Sequence, residues 1–117
     1  MTLPVGLTTV TVTGEYLDAE GTPLTGQVAF DISSPLKDAN HKIVLSKTTI
    51  RRHLVGGQFS VVLPVTDDTD LSPSGWYYTV TERIDRSAVR SFHFLLPASV
   101  APDIDVSELT PYTPPSS

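Results

Sequence analysis

Between Gln58 and Ile84 the chain alternates apolar and polar positions twice, on either side of one long loop. Phe59, Val61 and Leu63 interleave with Gln58, Ser60 and Val62, and Trp76, Tyr78 and Val80 interleave with Tyr77, Thr79 and Thr81. A period of two marks a strand with one face turned to a core. The same period predicts a strand over Thr8 to Leu17, with Val10, Val12, Gly14 and Tyr16 set against Thr9, Thr11, Thr13 and Glu15. A second runs from Thr25 to Ser33, with Val28, Phe30 and Ile32 opposite Gln27, Ala29 and Asp31. Another spans Arg90 to Leu96, with Phe92, Phe94 and Leu96 opposite Ser91, His93 and Leu95. Two segments are less regular. Ile43-Val44-Leu45 continues the core in a strand beginning near Lys42, and from Lys47 to Val55 either Thr49, Arg51 and His53 share a face opposite Ile50 and Arg52, or the chain bends.

Turn formers punctuate these runs. Asp18-Ala19-Glu20-Gly21-Thr22-Pro23 predicts a hairpin-like connection that pairs the first two strands, since Gly21 tolerates positive φ and Pro23 restricts the residue before it. Gly56-Gly57 predicts a second hairpin, from the Lys47 segment into the Phe59 strand. Ser34 to His41 reads as a polar, Pro-broken surface loop, and Thr2 to Gly6 as a short lead-in. From Pro97 the composition shifts to Ala, Ser, Pro, Asp and Glu, ending in Pro111-Tyr112-Thr113-Pro114-Pro115-Ser116-Ser117. The expected organisation is an all-β, immunoglobulin-like β-sandwich of about seven strands over residues 1–98, followed by an extended, acidic, Pro-rich C-terminal arm over residues 99–117.

Composition sharpens this. A chain of 117 residues fits one domain. Ten prolines and abundant Thr and Val favour strands and turns over helices. With no Cys there are neither disulfides nor thiolate metal sites. Met1 to Leu7 has no basic residue and no signal-peptide apolar run, and no stretch approaches the roughly 20 apolar residues of a membrane span. A soluble product of the cytoplasm, without membrane contact, is expected. A net charge of -5 opposes binding to a polyphosphate backbone, so nucleic acid is not an expected partner.

Candidate chemistry is sparse. Asp67, Asp68 and Asp70 are hard-oxygen donors of the kind calcium prefers, but they lack the Gly and closing Glu of an EF-hand loop. The reading preferred for them is a turn, with Asp70 capping the backbone before Leu71-Ser72-Pro73. His41, His53 and His93 are too scattered for a metal set. There is no Gly-x-Ser-x-Gly elbow or Cys nucleophile, and Gly56-Gly57 lacks the Lys and helix of a phosphate loop. No enzymatic activity and no cofactor is expected. Trp76, Tyr77 and Tyr78 suit a sugar-stacking platform by type, but alternation turns Trp76 and Tyr78 into the core and leaves Tyr77 outside.

Charge is the stronger signal. Lys37, Lys42, Lys47, Arg51 and Arg52 crowd one segment, while Asp103, Asp105 and Glu108 lie in a tail with no basic residue after Arg90. Either both are solvated faces, or the arm leaves its own domain and lies against a neighbour. In the second reading Ile104, Val106, Leu109 and Tyr112 supply apolar contacts, and Lys47, Arg51 and Arg52 are the basic counterpart.

Three stretches carry a family resemblance. They are Thr9-Val10-Thr11-Val12-Thr13-Gly14-Glu15-Tyr16, Leu63 to Pro73, and Gly75-Trp76-Tyr77-Tyr78-Thr79-Val80-Thr81-Glu82; the closing Asp105-Val106-Ser107-Glu108-Leu109-Thr110-Pro111 joins them. They resemble a β-domain that recurs in structural proteins of phages infecting actinobacteria, often at the start of tail fibres or minor tail proteins. The resemblance brings no catalytic residues. It implies a building block of the virion, and a module ending at Ser117 without fibre repeats, coiled coil or receptor-binding head is expected to be an accessory protein, foremost a capsid decoration protein. The implied partners are the major capsid protein or other virion proteins, and further copies of the chain in a homo-oligomer such as a trimer. The alternatives are a tail component or fibre adaptor, and a carbohydrate-binding adhesin module.

Overall fold

The computed structural model describes residues 8–38 and 42–114. Its strands are β1 (Thr9–Glu15), β2 (Gly26–Ile32), β3 (Leu36–Asp38), β4 (Ile43–Leu45), β5 (Thr49–His53), β6 (Gln58–Pro64), β7 (Leu71–Ser72), β8 (Tyr78–Ile84), β9 (Arg90–Phe94) and β10 (Asp103–Asp105), with short 3-10 turns at Ala98–Val100 and Val106–Glu108. Five of the six longer strands are those the alternation predicts, and the sixth, β5, forms in the segment where strand and bend were both open. Of the four short ones, β4 lies where a strand beginning near Lys42 is expected, and β3, with Leu36 buried, forms inside the segment expected as a surface loop, while β7 and β10 are too brief for the pattern to register.

The protein is all-β and sandwich-like. Three sheets form, ordered β10-β1-β6, β5-β2-β8-β9 and β4-β3-β7. Val10 and Val12 of β1 and Phe59, Val61 and Leu63 of β6 project into one core with Val28 and Phe30 of β2, Tyr78 and Val80 of β8, and Phe94 of β9. The Phe30 ring meets Phe59 of the facing sheet at 5.9 Å and the edge of Phe94 at 6.2 Å, while Phe94 stacks on Tyr78 at 5.3 Å. Burial of each such side chain stabilises the fold by roughly 1.5–3 kcal/mol. Leu36 and Leu71 of the small sheet are buried in the same core. The Tyr78 hydroxyl, enclosed there, donates to the Pro64 carbonyl at 2.5 Å.

Four expectations are corrected. The first two strands do not pair with each other: β1 lies between β10 and β6, and β2 between β5 and β8. Only an isolated Leu17–Pro23 bridge joins the segments between them. Their apolar faces oppose one another across the core, which buries more surface than a two-stranded ribbon.

Nor does Gly56-Gly57 make a hairpin of β5 and β6, which belong to different sheets. The turn, closed by a Val55–Gln58 bridge, carries the chain from one layer to the other. Gly57 has φ +80°, and a Cβ there would stand 2.8 Å from the Tyr16 carbonyl oxygen. No other residue fits that approach.

Ile43-Val44-Leu45 adds less to the core than expected. It forms the edge strand β4 of the small sheet, with Val44 exposed and its two neighbours half-buried.

The largest difference concerns the arm. It does not leave its domain. Asp103–Asp105 pairs in parallel with Thr11–Thr13 of β1, Pro111 bridges Phe94, and the Tyr112 amide donates to the His93 carbonyl at 2.7 Å. Val106 and Leu109 enter the core. Gly14 makes room for this, because a Cβ at that position would stand 2.8 Å from Val106 Cγ1. The alternation of the arm is that of a strand, and the edge it adds to is its own.

Candidate docking surfaces

Register determines which charged side chains share a face. In antiparallel and parallel pairing alike, residues side by side point the same way, and neighbours along a strand point oppositely. On the outside of the β10-β1-β6 sheet, Asp103 therefore lies in a row with Thr11 and Val62, and Asp105 in the next row with Thr13 and Ser60. Glu15 continues the face beside Gln58, whose side-chain amide donates to it at 2.8 Å. This face is acidic. Asp105 is partly engaged, accepting from the Ser107 amide at 2.9 Å and so opening the following 3-10 turn, whereas Asp103 and Glu108 are exposed.

On the outside of the four-stranded sheet, Arg51 pairs with Ala29, and His53 lines up with Gln27 and Arg83. Arg52 points to the opposite face at the open edge of β5, its guanidinium donating to the Arg51 carbonyl at 2.9 Å. Lys47, Arg51, Arg52 and His53 are all exposed. Charge on an edge strand discourages indiscriminate strand addition and leaves the edge open to an acidic partner. Among the described residues, neither Arg51 nor Arg52 is in an ion pair.

The residues singled out in the sequence thus separate into two groups. Arg51 and Arg52 occupy the β5 edge, next to the turn into β6, and Lys47 lies just before the start of β5. Ile104 and Tyr112 are half-buried, and Val106 and Leu109 are buried, beside β1 and β9 at the other edge. The apolar side chains of the arm are largely consumed by its own domain and leave one shallow apolar hollow of about 260 Å³. Leu95, Pro97, Val100, Ile104 and Leu109 line it, with Glu108 and Tyr112 on its wall.

Sequence reasoning missed Glu82. It is only 3% exposed, yet it is a carboxylate on β8 in the same phase as Tyr78, Val80 and Ile84. The Tyr16 hydroxyl and the Arg90 Nε both donate to it. Burial, and then the adjacent carboxylate, push the Tyr16 phenol far above its ordinary value. The Glu82 hydrogen bond raises the Arg90 guanidinium in turn. The signal was available: position 82 continues the buried phase that begins at Trp76.

The remaining candidates have structural partners. Asp67 accepts from the Ala98 amide at 3.0 Å, and Asp68, rather than Asp70, accepts from the Asp70 amide at 2.9 Å to make the turn. His93 shares a 2.8 Å hydrogen bond with Thr79 Oγ1, His53 is exposed on β5, and His41 lies outside the described residues. No three His, Asp or Glu side chains among the described residues are grouped to hold a metal ion. Trp76 is buried against Tyr78, and Tyr77 is covered in part by His93 at 5.0 Å and Tyr112 at 5.7 Å, so the three aromatics make no open platform. Among the described residues no helix is long and apolar enough to cross a membrane.

No protein-family model matches the chain, and no curated protein sequence matches it. The functional reading therefore rests on this geometry and on the residues themselves.

Proposed function

We propose that this chain is a noncatalytic structural component of a phage virion, and foremost a decoration protein that binds an assembled capsid shell. The observation that carries the reading is a sandwich with opposite charge at opposite edges: the basic β5 edge at Arg51 and Arg52, with Lys47 just before it, and the acidic β10 edge at Asp103 and Asp105. Both are displayed on regular strands, so they are presented in fixed register with little ordering left to be done on binding. Such a molecule acts by contact. Repeated over a lattice of major capsid protein, individually weak contacts gain avidity and reinforce the shell. The likeness of Thr9 to Tyr16, Leu63 to Pro73 and Gly75 to Glu82 to a module of actinobacteriophage virion proteins supplies the setting.

The test is to mix the purified protein with capsids lacking it and, separately, with isolated tails, then to measure cosedimentation and image the bound particles. Saturable binding at repeated lattice positions is the expected result and gives the stoichiometry. Binding confined to tails replaces decoration with a tail adaptor, and binding to neither overturns the virion reading.

A further inference from the structure

The two charged sides cannot meet within one molecule. The β5 edge lies on the flank where the chain turns into β6, and β10 lies on the opposite flank of β1, followed by the Pro111 bridge to Phe94 of β9. Each side also carries an apolar element. Beside the basic edge, Val55 at the tip of the β5–β6 turn is 79% exposed, more than any other large apolar side chain among the described residues. Beside the acidic edge lies the hollow walled by Leu95, Pro97, Val100 and Ile104, with Glu108 at its rim. A projecting apolar side chain flanked by Arg52 and His53 matches, in shape and charge, a recess with the Glu108 carboxylate on its wall and Asp103 on the adjoining strand.

We infer that this chain associates head to tail with a second copy of itself, the basic edge at Arg51 and Arg52 of one copy seated on the acidic side at Asp103 and Glu108 of the next, with Val55 entering the hollow. The contact is heterologous, because different patches of the two copies meet. It closes into a ring if the rotation between copies permits and otherwise extends into a filament. The net charge of -5 sets a long-range repulsion between copies, which the local pairing of opposite edges must overcome at contact. This association needs no shell and no tail, so it stands or falls separately from docking to a particle.

Sedimentation velocity of the purified protein alone, over a concentration series, is the test. The expected result is a concentration-dependent assembly larger than the monomer, weakened at about 0.5 M salt as the exposed charges are screened. Arg51→Glu with Arg52→Glu, and separately Asp103→Lys with Glu108→Lys, each weaken association by about tenfold or more. All four positions are exposed, and an unchanged thermal melt verifies folding. Mixing the two reversed variants restores association, since one then carries only acidic edges and the other only basic ones. Val55→Ser weakens association without altering its salt dependence. A wild-type chain that stays monomeric throughout overturns the inference. So does association indifferent to both reversals, or a mixture of the folded variants that fails to reassemble.

Discussion

The Tyr16 hydroxyl donates to the Glu82 carboxylate, linking the segment that follows β1 to β8 of the facing sheet. A carboxylate so enclosed is tolerated only while its donors are in place. Arg90 supplies the second donor from β9, with its guanidinium largely in solvent, so the network neutralises a buried charge without burying the cation.

Removing the hydroxyl with Tyr16→Phe is expected to destabilise the protein by about 1–3 kcal/mol, as the carboxylate loses a partner in a desolvated site. Urea denaturation measures this. Arg90→Ala is expected to fall at the lower end of the same range, because solvent reaches that side chain and screens its charge. Glu82→Gln in the Tyr16→Phe background is expected to cost less than in the wild type, since the two residues share one interaction.

Alkaline pH tests the same site. Burial, followed by Glu82, raises the Tyr16 phenol, and burial raises that of Tyr78, in each case above the ordinary value of about 10. The folded chain then holds protons that the unfolded chain releases once pH passes about 10, so both groups contribute stability below that pH and lose it as pH rises further. The melting temperature is expected to fall from pH ~10 upward, and more gently in Tyr16→Phe. A melt series with phenolate absorbance recorded in parallel measures both effects.

Acid acts at the other end of the scale, through the turn after β1. The Thr22 amide is the chief cause holding the Asp18 carboxyl below its ordinary value, with the Glu20 amide and Arg86 assisting; both amides donate to it at 2.9 Å. A lowered value means stability present above about pH 4 and lost as pH falls through the shifted value. Asp18→Ala is expected to flatten the acid limb of the stability curve. Asp18→Asn keeps an acceptor oxygen for the turn and loses the Arg86 attraction.

The arm is part of the fold. Leu109→Ala is expected to destabilise by about 2–4 kcal/mol and Val106→Ala by about 1–2 kcal/mol, by loss of buried apolar volume. Gly14→Val places a side chain where Val106 now sits and is expected to cost more than either. Removal of residues from Ala101 onward is expected to lower stability sharply and promote aggregation, since β1 is left with an unpaired edge. Thermal melts and light scattering measure the two effects.

The strands were legible because alternation is local. Val10 and Val12, Phe59, Val61 and Leu63, and Tyr78 and Val80 each announce a buried face within a few residues of chain. Their partners were not, because Asp18 to Pro23 and Gly56-Gly57 carry the same turn chemistry whether the chain doubles back within a sheet or crosses to the other layer. The arm shows the same limit. Ile104, Val106 and Leu109 declare that they pack on something, and only Gly14, about ninety residues earlier, hints at what. At the candidate surfaces the basic and acidic segments stood out along the chain. Alignment of Asp103 and Asp105 with Glu15 on one face depends on the register between β1 and β10, which no local pattern encodes.

The parallel pairing of β10 with β1 also orders events during synthesis. As the nascent chain leaves the ribosome, β1 can engage β6 once Pro64 has emerged, but the opposite flank of β1 stays open until Asp103 to Asp105 follow. The segment made late is the latch that closes the edge made first. Contacts so distant along the chain make folding slow, and until that late segment is free of the ribosome β1 keeps one flank able to recruit a stranger.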